Sequence, residues 1–235
     1  TKLFAIHLLC VLGWGISSLL IGLSKNLDFS LKIWQLCNLA VVFIPVLFLH
    51  VVYLMLNEKG KLLLIFAYTQ AIFFSIISLL QKMFIGGQLM FGSLYCSQGG
   101  PFFFPYFGLW IFTITLAHLK LIQHYKISYP QQKKQIFILL LAIPVGFWGG
   151  SMNFLPGLGV EIFPFGNFLV PIYGLILAYA ILKHQLLDIV IVIRKSVVYS
   201  ILITLISLFY LLAVFVLERF AQGLLGYRSL IISIF

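Results

Sequence analysis

The chain has 235 residues, of which 63% are hydrophobic and only 9% charged, and its formal net charge is +10. A water-soluble domain carries about 25% charged residues, so these charges are too few to cover a surface facing water. Continuous apolar runs also exclude an outer-membrane barrel, whose strands alternate. Lys and Arg fall between the runs, as the positive-inside rule requires of a membrane protein, and form no nucleic-acid-binding patch.

Runs of about 20 apolar residues, enough to cross a bilayer, fall at 3–24, 31–57, 61–81, 102–124, 135–152, 163–186 and 197–217. An eighth starts near Ser229 and stops after seven residues. Hydrocarbon offers the backbone no hydrogen-bond partner, so each run is expected to be a helix. The expected fold class is all-α: a polytopic transmembrane helix bundle with seven full spans plus the start of an eighth. The chain enters a run directly at Thr1, without a cleavage signal, and ends inside one at Phe235, so both ends read as truncations.

The first two runs carry Cys10 and Cys37, read as small core residues. The stretch 82–101, KMFIGGQLMFGSLYCSQGGP, holds glycines, aromatics and Cys96 but no carboxylate. Turns are expected there, as an interfacial loop or as an apolar vestibule built from Gly86, Gly87, Gly99, Gly100 and Phe102 to Phe104. The most basic loop follows the fourth run, with Lys120, Lys126, Lys133 and Lys134. Placing it in the cytoplasm puts ten basic residues inside and five outside, with Thr1 inside. Pro45, Pro144 and Pro171 interrupt spans and are expected to kink them.

The five carboxylates, Asp28, Glu58, Glu161, Asp188 and Glu218, all avoid mid-span positions, which argues against a proton- or sodium-coupled transporter. No metalloprotease motif, Walker A loop or phospho-acceptor histidine box is present. His7, His50, His118 and His124 lack metal-ligand spacing and read as interfacial. No catalytic or metal site is expected. Polar side chains within spans, among them Thr69 and Thr113, read first as interhelical glue worth on the order of 0.6 kcal/mol per bond. Alternatively, Asn38, Gln70 and Asn167 line a small ligand pocket.

The least generic stretch is Trp148 to Asp188. Gly149 and Gly150 allow close helix packing, Asn153 sits at the outer mouth, and Pro156-Gly157 makes a turn. Pro164 opens the next helix, where its missing N–H costs little. That helix runs past Tyr173 to an exit marked by Tyr179, Lys183, Leu187 and Asp188. Asn153, Pro156 and Gly157 join Asn38, Gln70 and Asn167 as candidate ligand or signal residues.

The segments WGGSMNFLPGLG, FPFGN and AYAILKHQLLD resemble the end of the seven-transmembrane N-terminal sensor region of bacterial sensor histidine kinases. Its members commonly show W-G…N-x-L-P and then Y-A-I-x-(K/R)-x-(R/Q)-L-L-D. The opening TKLFAIHLLCVLGWGISSLLIGLS is similar to that family's second helix, with Trp14 central. The resemblance covers residues 1–190. It implies a first helix before Thr1, six spans of a seven-helix unit in residues 1–189, and an additional helix pair in 190–235 whose second member is truncated. It also implies a multi-pass protein of the bacterial inner membrane that signals to a cytoplasmic histidine kinase. Homodimerisation, the response regulator partner, ATP and Mg would all belong to that kinase, and no cofactor to this stretch. Without the resemblance, a small membrane transporter, a lipid-handling protein and a plain anchor remain open.

Overall fold

Five helices are long and apolar enough to cross a membrane in the computed structural model, which describes residues 2–92, 94–184 and Ile203. The chain divides into two compact units, Thr1–Asp188 and Ile189–Phe235, and the elements below belong to the first. The runs expected at 197–217 and from Ser229, and the exit residues Leu187 and Asp188, lie outside the described residues.

Helix α1 (Lys2–Leu23) is followed by α2 (Leu27–Val41), capped by Asn26, whose side chain accepts the Phe29 N–H at 3.0 Å. With α3 (Phe43–Leu56) it forms one 30-residue span. The span breaks at Val42 because Pro45 has no N–H for the carbonyl of Val41. Val46, Phe48, Leu49 and Val52 are wholly buried, which makes α3 the central helix. It ends in a left-handed cap at Asn57 (φ 53°), where the Glu58 N–H reaches back to the Tyr53 carbonyl. Helix α4 (Lys61–Leu79) closes in the same way at Gln81 (φ 58°).

The stretch after α4 departs from the all-helical expectation. It forms an antiparallel hairpin, β1 (Phe84–Met90) and β2 (Leu94–Gly99), reversing through Phe91 and Gly92, both at positive φ. The physical reason lies in its glycines. A Cβ on Gly87 would sit 2.9 Å from the Leu31 side chain and 3.0 Å from the Cys96 carbonyl, so only bare backbone lets this strand lie on α2. The Trp34 indole N–H pins the hairpin by donating to the Tyr95 carbonyl at 3.0 Å.

Helix α5 (Phe103–Ile127) returns to the other end, and α6 (Pro130–Ile143) starts with proline in its first turn. The span then widens into a π-helical turn at Pro144–Trp148, where Pro144 cannot donate to the turn before it. A helical turn, α7 (Gly149–Ser151), and a 3-10 turn, Met152–Phe154, finish it. Past Gly159 (φ 80°) the backbone runs irregularly to a 3-10 turn, Phe165–Phe168, and then to α8 (Leu169–His184). Seven full spans are therefore not what the described residues contain. The sixth run, expected from residue 163, becomes regular helix only at Leu169, since Pro164 and Gly166 interrupt its start.

The exterior is greasy. Leu9, Leu12, Ile16, Leu19 and Leu23 on α1, and Leu62, Ile65, Ile72 and Ile76 on α4, are exposed. A bundle that is apolar on both faces suits lipid rather than water.

Candidate functional site

Where α1, the α2–α3 break, α5 and the π-turn converge, the helices leave two small chambers around Trp14. The first, of about 40 Å³, is walled by Val11, Val41, Ile44, Trp110, Phe147 and Tyr173, with Gly146, Gly150, Phe154 and Val170 completing it. The second, of about 20 Å³, lies under the hairpin and is more polar, with Trp34, Cys37, Asn38, Phe84, Ser97, Phe103 and Asn153 around it. The two share Trp14, Val41 and Phe154 as common walls. Sequence dictates the shape locally. The π-turn inserts an extra residue per turn and brings Gly146 against the ring of Tyr173, where no side chain would fit.

Three buried donors next to these chambers have no partner among the described residues: the Asn38 side-chain amide, the Trp110 indole N–H and the Tyr106 hydroxyl. Leaving a buried polar group unpaired costs about 1–3 kcal/mol, so these groups hold unspent hydrogen-bonding capacity in a low-dielectric space.

Behind two of the first chamber's wall residues, Ile44 and Tyr173, runs a polar link across the bundle. His7 Nδ1 lies 3.1 Å from the Ile44 carbonyl and Nε2 lies 2.8 Å from the Tyr173 hydroxyl. A carbonyl only accepts, so Nδ1 carries the proton, and the Tyr173 O–H donates to Nε2. Phe4, Phe48 and Phe147 pack round the imidazole, and the Tyr173 ring meets it edge-on. His7 is wholly buried, which overturns its reading as interfacial. The other histidines differ from it. His50 pairs with the Tyr68 hydroxyl at 2.9 Å, and His124 faces Glu58 at the end away from the hairpin, where Lys120 also meets Glu58 at 2.9 Å.

The structure sorts the residues singled out from the sequence. Asn38 and Asn153 meet at the second chamber. Asn167 does not line it but braces it: its amide N–H donates to Asn153 at 2.9 Å, and the Asn153 amide donates back to Asn167 and to the Gly150 carbonyl. Pro156 and Gly157 are buried beneath the hairpin, with the Phe103 ring against Gly157. Gln70 is buried on α4 and lines neither chamber. Tyr179 is exposed, and the Lys183 ammonium lies 5.1 Å from its ring centre. Trp34, Trp110, Ser97, His7 and Tyr173 were not foreseen as site residues. One signal was available. Trp14 and Trp110 stand in mid-span, away from the interfacial belts where tryptophan collects.

Cys10, Cys37 and Cys96 are free. No group of three or more His, Cys, Asp or Glu able to hold a metal occurs among the described residues. No protein-family model, curated protein or solved structure matches the chain.

Proposed function

We propose that the chain is the membrane-embedded sensor and anchor module of a two-component system, passing a signal to a cytoplasmic histidine kinase. The kinase output rests on the resemblance of the Trp148–Asp188 stretch. The observation that carries the sensing role is the chamber walled by Tyr173 and Phe147. An occupant there bears directly on α8, the helix that leads toward the rest of the chain. A ligand that favours one packing of Phe147 against Tyr173 shifts the balance between two arrangements of the bundle.

Charge supports the orientation. Lys2, Lys59, Lys61, Lys120, Lys126, Lys133, Lys134 and Lys183 lie at the end opposite the hairpin, against Lys25, Lys32 and Lys82 beside it. That bias favours a cytoplasmic Thr1 and a hairpin outside the inner membrane of a bacterium. Dimerisation, ATP with Mg, and the response regulator belong to the cytoplasmic part in this reading.

The test is autophosphorylation of the full-length protein in lipid nanodiscs with ATP. Acid-labile phosphohistidine, transferable to a response regulator, is expected, and Asn153→Ala should alter its rate severalfold by unbracing the second chamber. Absence of phosphohistidine sinks the kinase output. An Asn153→Ala rate equal to wild type sinks the role of the chambers.

A further inference from the structure

We propose that the paired chambers take the head of a small, uncharged lipophile that presents a carbonyl-type oxygen to one of their two unpaired donors, Trp110 in the first chamber or Asn38 in the second. The proposal names a ligand class for the sensor cavity and so rests on that reading, but its chemistry is testable alone.

Three observations define the class. First, the free groups are donors. Asn38 is 4% exposed and Trp110 5%, and the amide nitrogen of one and the indole nitrogen of the other have no partner among the described residues. Neither N–H group can accept, so the occupant must supply acceptors. Second, the walls carry no charge: no Lys, Arg, Asp, Glu or His lines either chamber. An ion would lose its hydration with no counter-charge in return, so the occupant is neutral. Third, the route is apolar. Val11, Gly150 and Val170 stand half-buried at the chamber's edge on helices whose outer faces meet lipid. At about 10–15 Å³ per water-sized group, the chamber of about 40 Å³ admits a carbonyl and the carbons beside it, and that of about 20 Å³ little more than the oxygen. A longer chain would trail into the bilayer. A water is the competing occupant, but it needs two to four polar partners, and the polar side chains of the Trp110 chamber are two indoles, Trp14 and Trp110, and the Tyr173 hydroxyl, which already donates to His7.

The experiment uses the full chain in zwitterionic nanodiscs, titrated with 2-decanone and, in parallel, with n-decane and decanoate. Three of the four tryptophans, Trp14, Trp34 and Trp110, line the chambers, so indole fluorescence reads occupancy. Decanone should give a saturable change that decane and decanoate do not. With the oxygen in the second chamber, Asn38→Leu, similar in volume but without the donor, should weaken decanone binding about tenfold, with Tm unchanged or raised. With the oxygen in the first chamber, Trp110→Phe should do the same, so one of the two variants must weaken binding. Non-saturable decanone signals, equal binding of decane, tighter binding of decanoate, or undiminished binding by both variants each overturn the proposal. Saturable decanone binding that leaves full-length phosphorylation unchanged supports this ligand class and sinks the sensor reading instead.

Discussion

His7 shows how one side chain acquires its meaning from partners far along the chain. Alone in an apolar run, an imidazole is costly unless both nitrogens are satisfied. The fold meets that need with a backbone carbonyl from α3 and a hydroxyl from α8, 166 positions away in sequence. Because Nδ1 is committed as donor, Nε2 depends on the Tyr173 O–H. Tyr173→Phe keeps the ring packing and removes that donor, so it should cost about 1–2 kcal/mol in unfolding measured in detergent or nanodiscs. Adding His7→Leu removes the orphaned acceptor as well, so the double variant should lose clearly less than the sum of the two singles. Strict additivity would mean the pair is not coupled. Nothing in the sequence around His7 points to Tyr173. The spacing is set by three helices packing together, and for that reason a local reading assigned it to the interface.

At the scale of elements, the legible parts were those that hydropathy fixes locally. The third run, expected at 61–81, is helix over Lys61–Leu79, and the fourth, expected at 102–124, is helix over Phe103–Ile127. The hairpin was not legible, because its strands are short, glycine-interrupted and stabilised by Trp34 from another element. The π-turn escaped too. A proline in an apolar run signals a break but not whether the helix bends or widens. Of the site, Asn38 and Asn153 could be picked out as polar residues in or beside spans, whereas their shared chamber depends on the hairpin roof.

That roof can be measured through Cys96. Burial pushes its thiol up to about 11, so near neutral pH almost none is thiolate, the form that reacts with maleimides. Labelling at pH 8 should therefore be slow, speeding up only as the pH nears 11. Trp34→Phe deletes the hydrogen bond to Tyr95 and should speed labelling at pH 8 on the order of tenfold by letting the hairpin open more often. Rapid labelling of the wild type at pH 8, unaffected by Trp34→Phe, would show that the hairpin is not seated on the bundle.

The bundle formed by the described residues is polarised along its axis. One end has the hairpin, the asparagine brace and three lysines. The other gathers most of the described basic residues, with Glu58 held between Lys120 and His124. The exterior is apolar as well as the interior, so burial alone does not choose an orientation, and charge must do so. The polarity predicts that positions at the two ends face different compartments. Leu89, exposed on the hairpin, and Gln131, exposed at the start of α6, report each end. In cells carrying Leu89→Cys, a membrane-impermeant maleimide should react without lysis, because the native Cys96 beside it is buried and protonated. Gln131→Cys should react only after lysis. The opposite pattern would invert the orientation, placing the chambers nearer the cytoplasm and α8 leading outward, which would rule out signalling through α8 to a cytoplasmic kinase. Labelling of both positions in intact cells would mean that the polar ends share a compartment, contrary to an odd number of crossings between Leu89 and Gln131. Only the first pattern puts a lipid-fed cavity beneath an external roof and above a cytoplasmic exit.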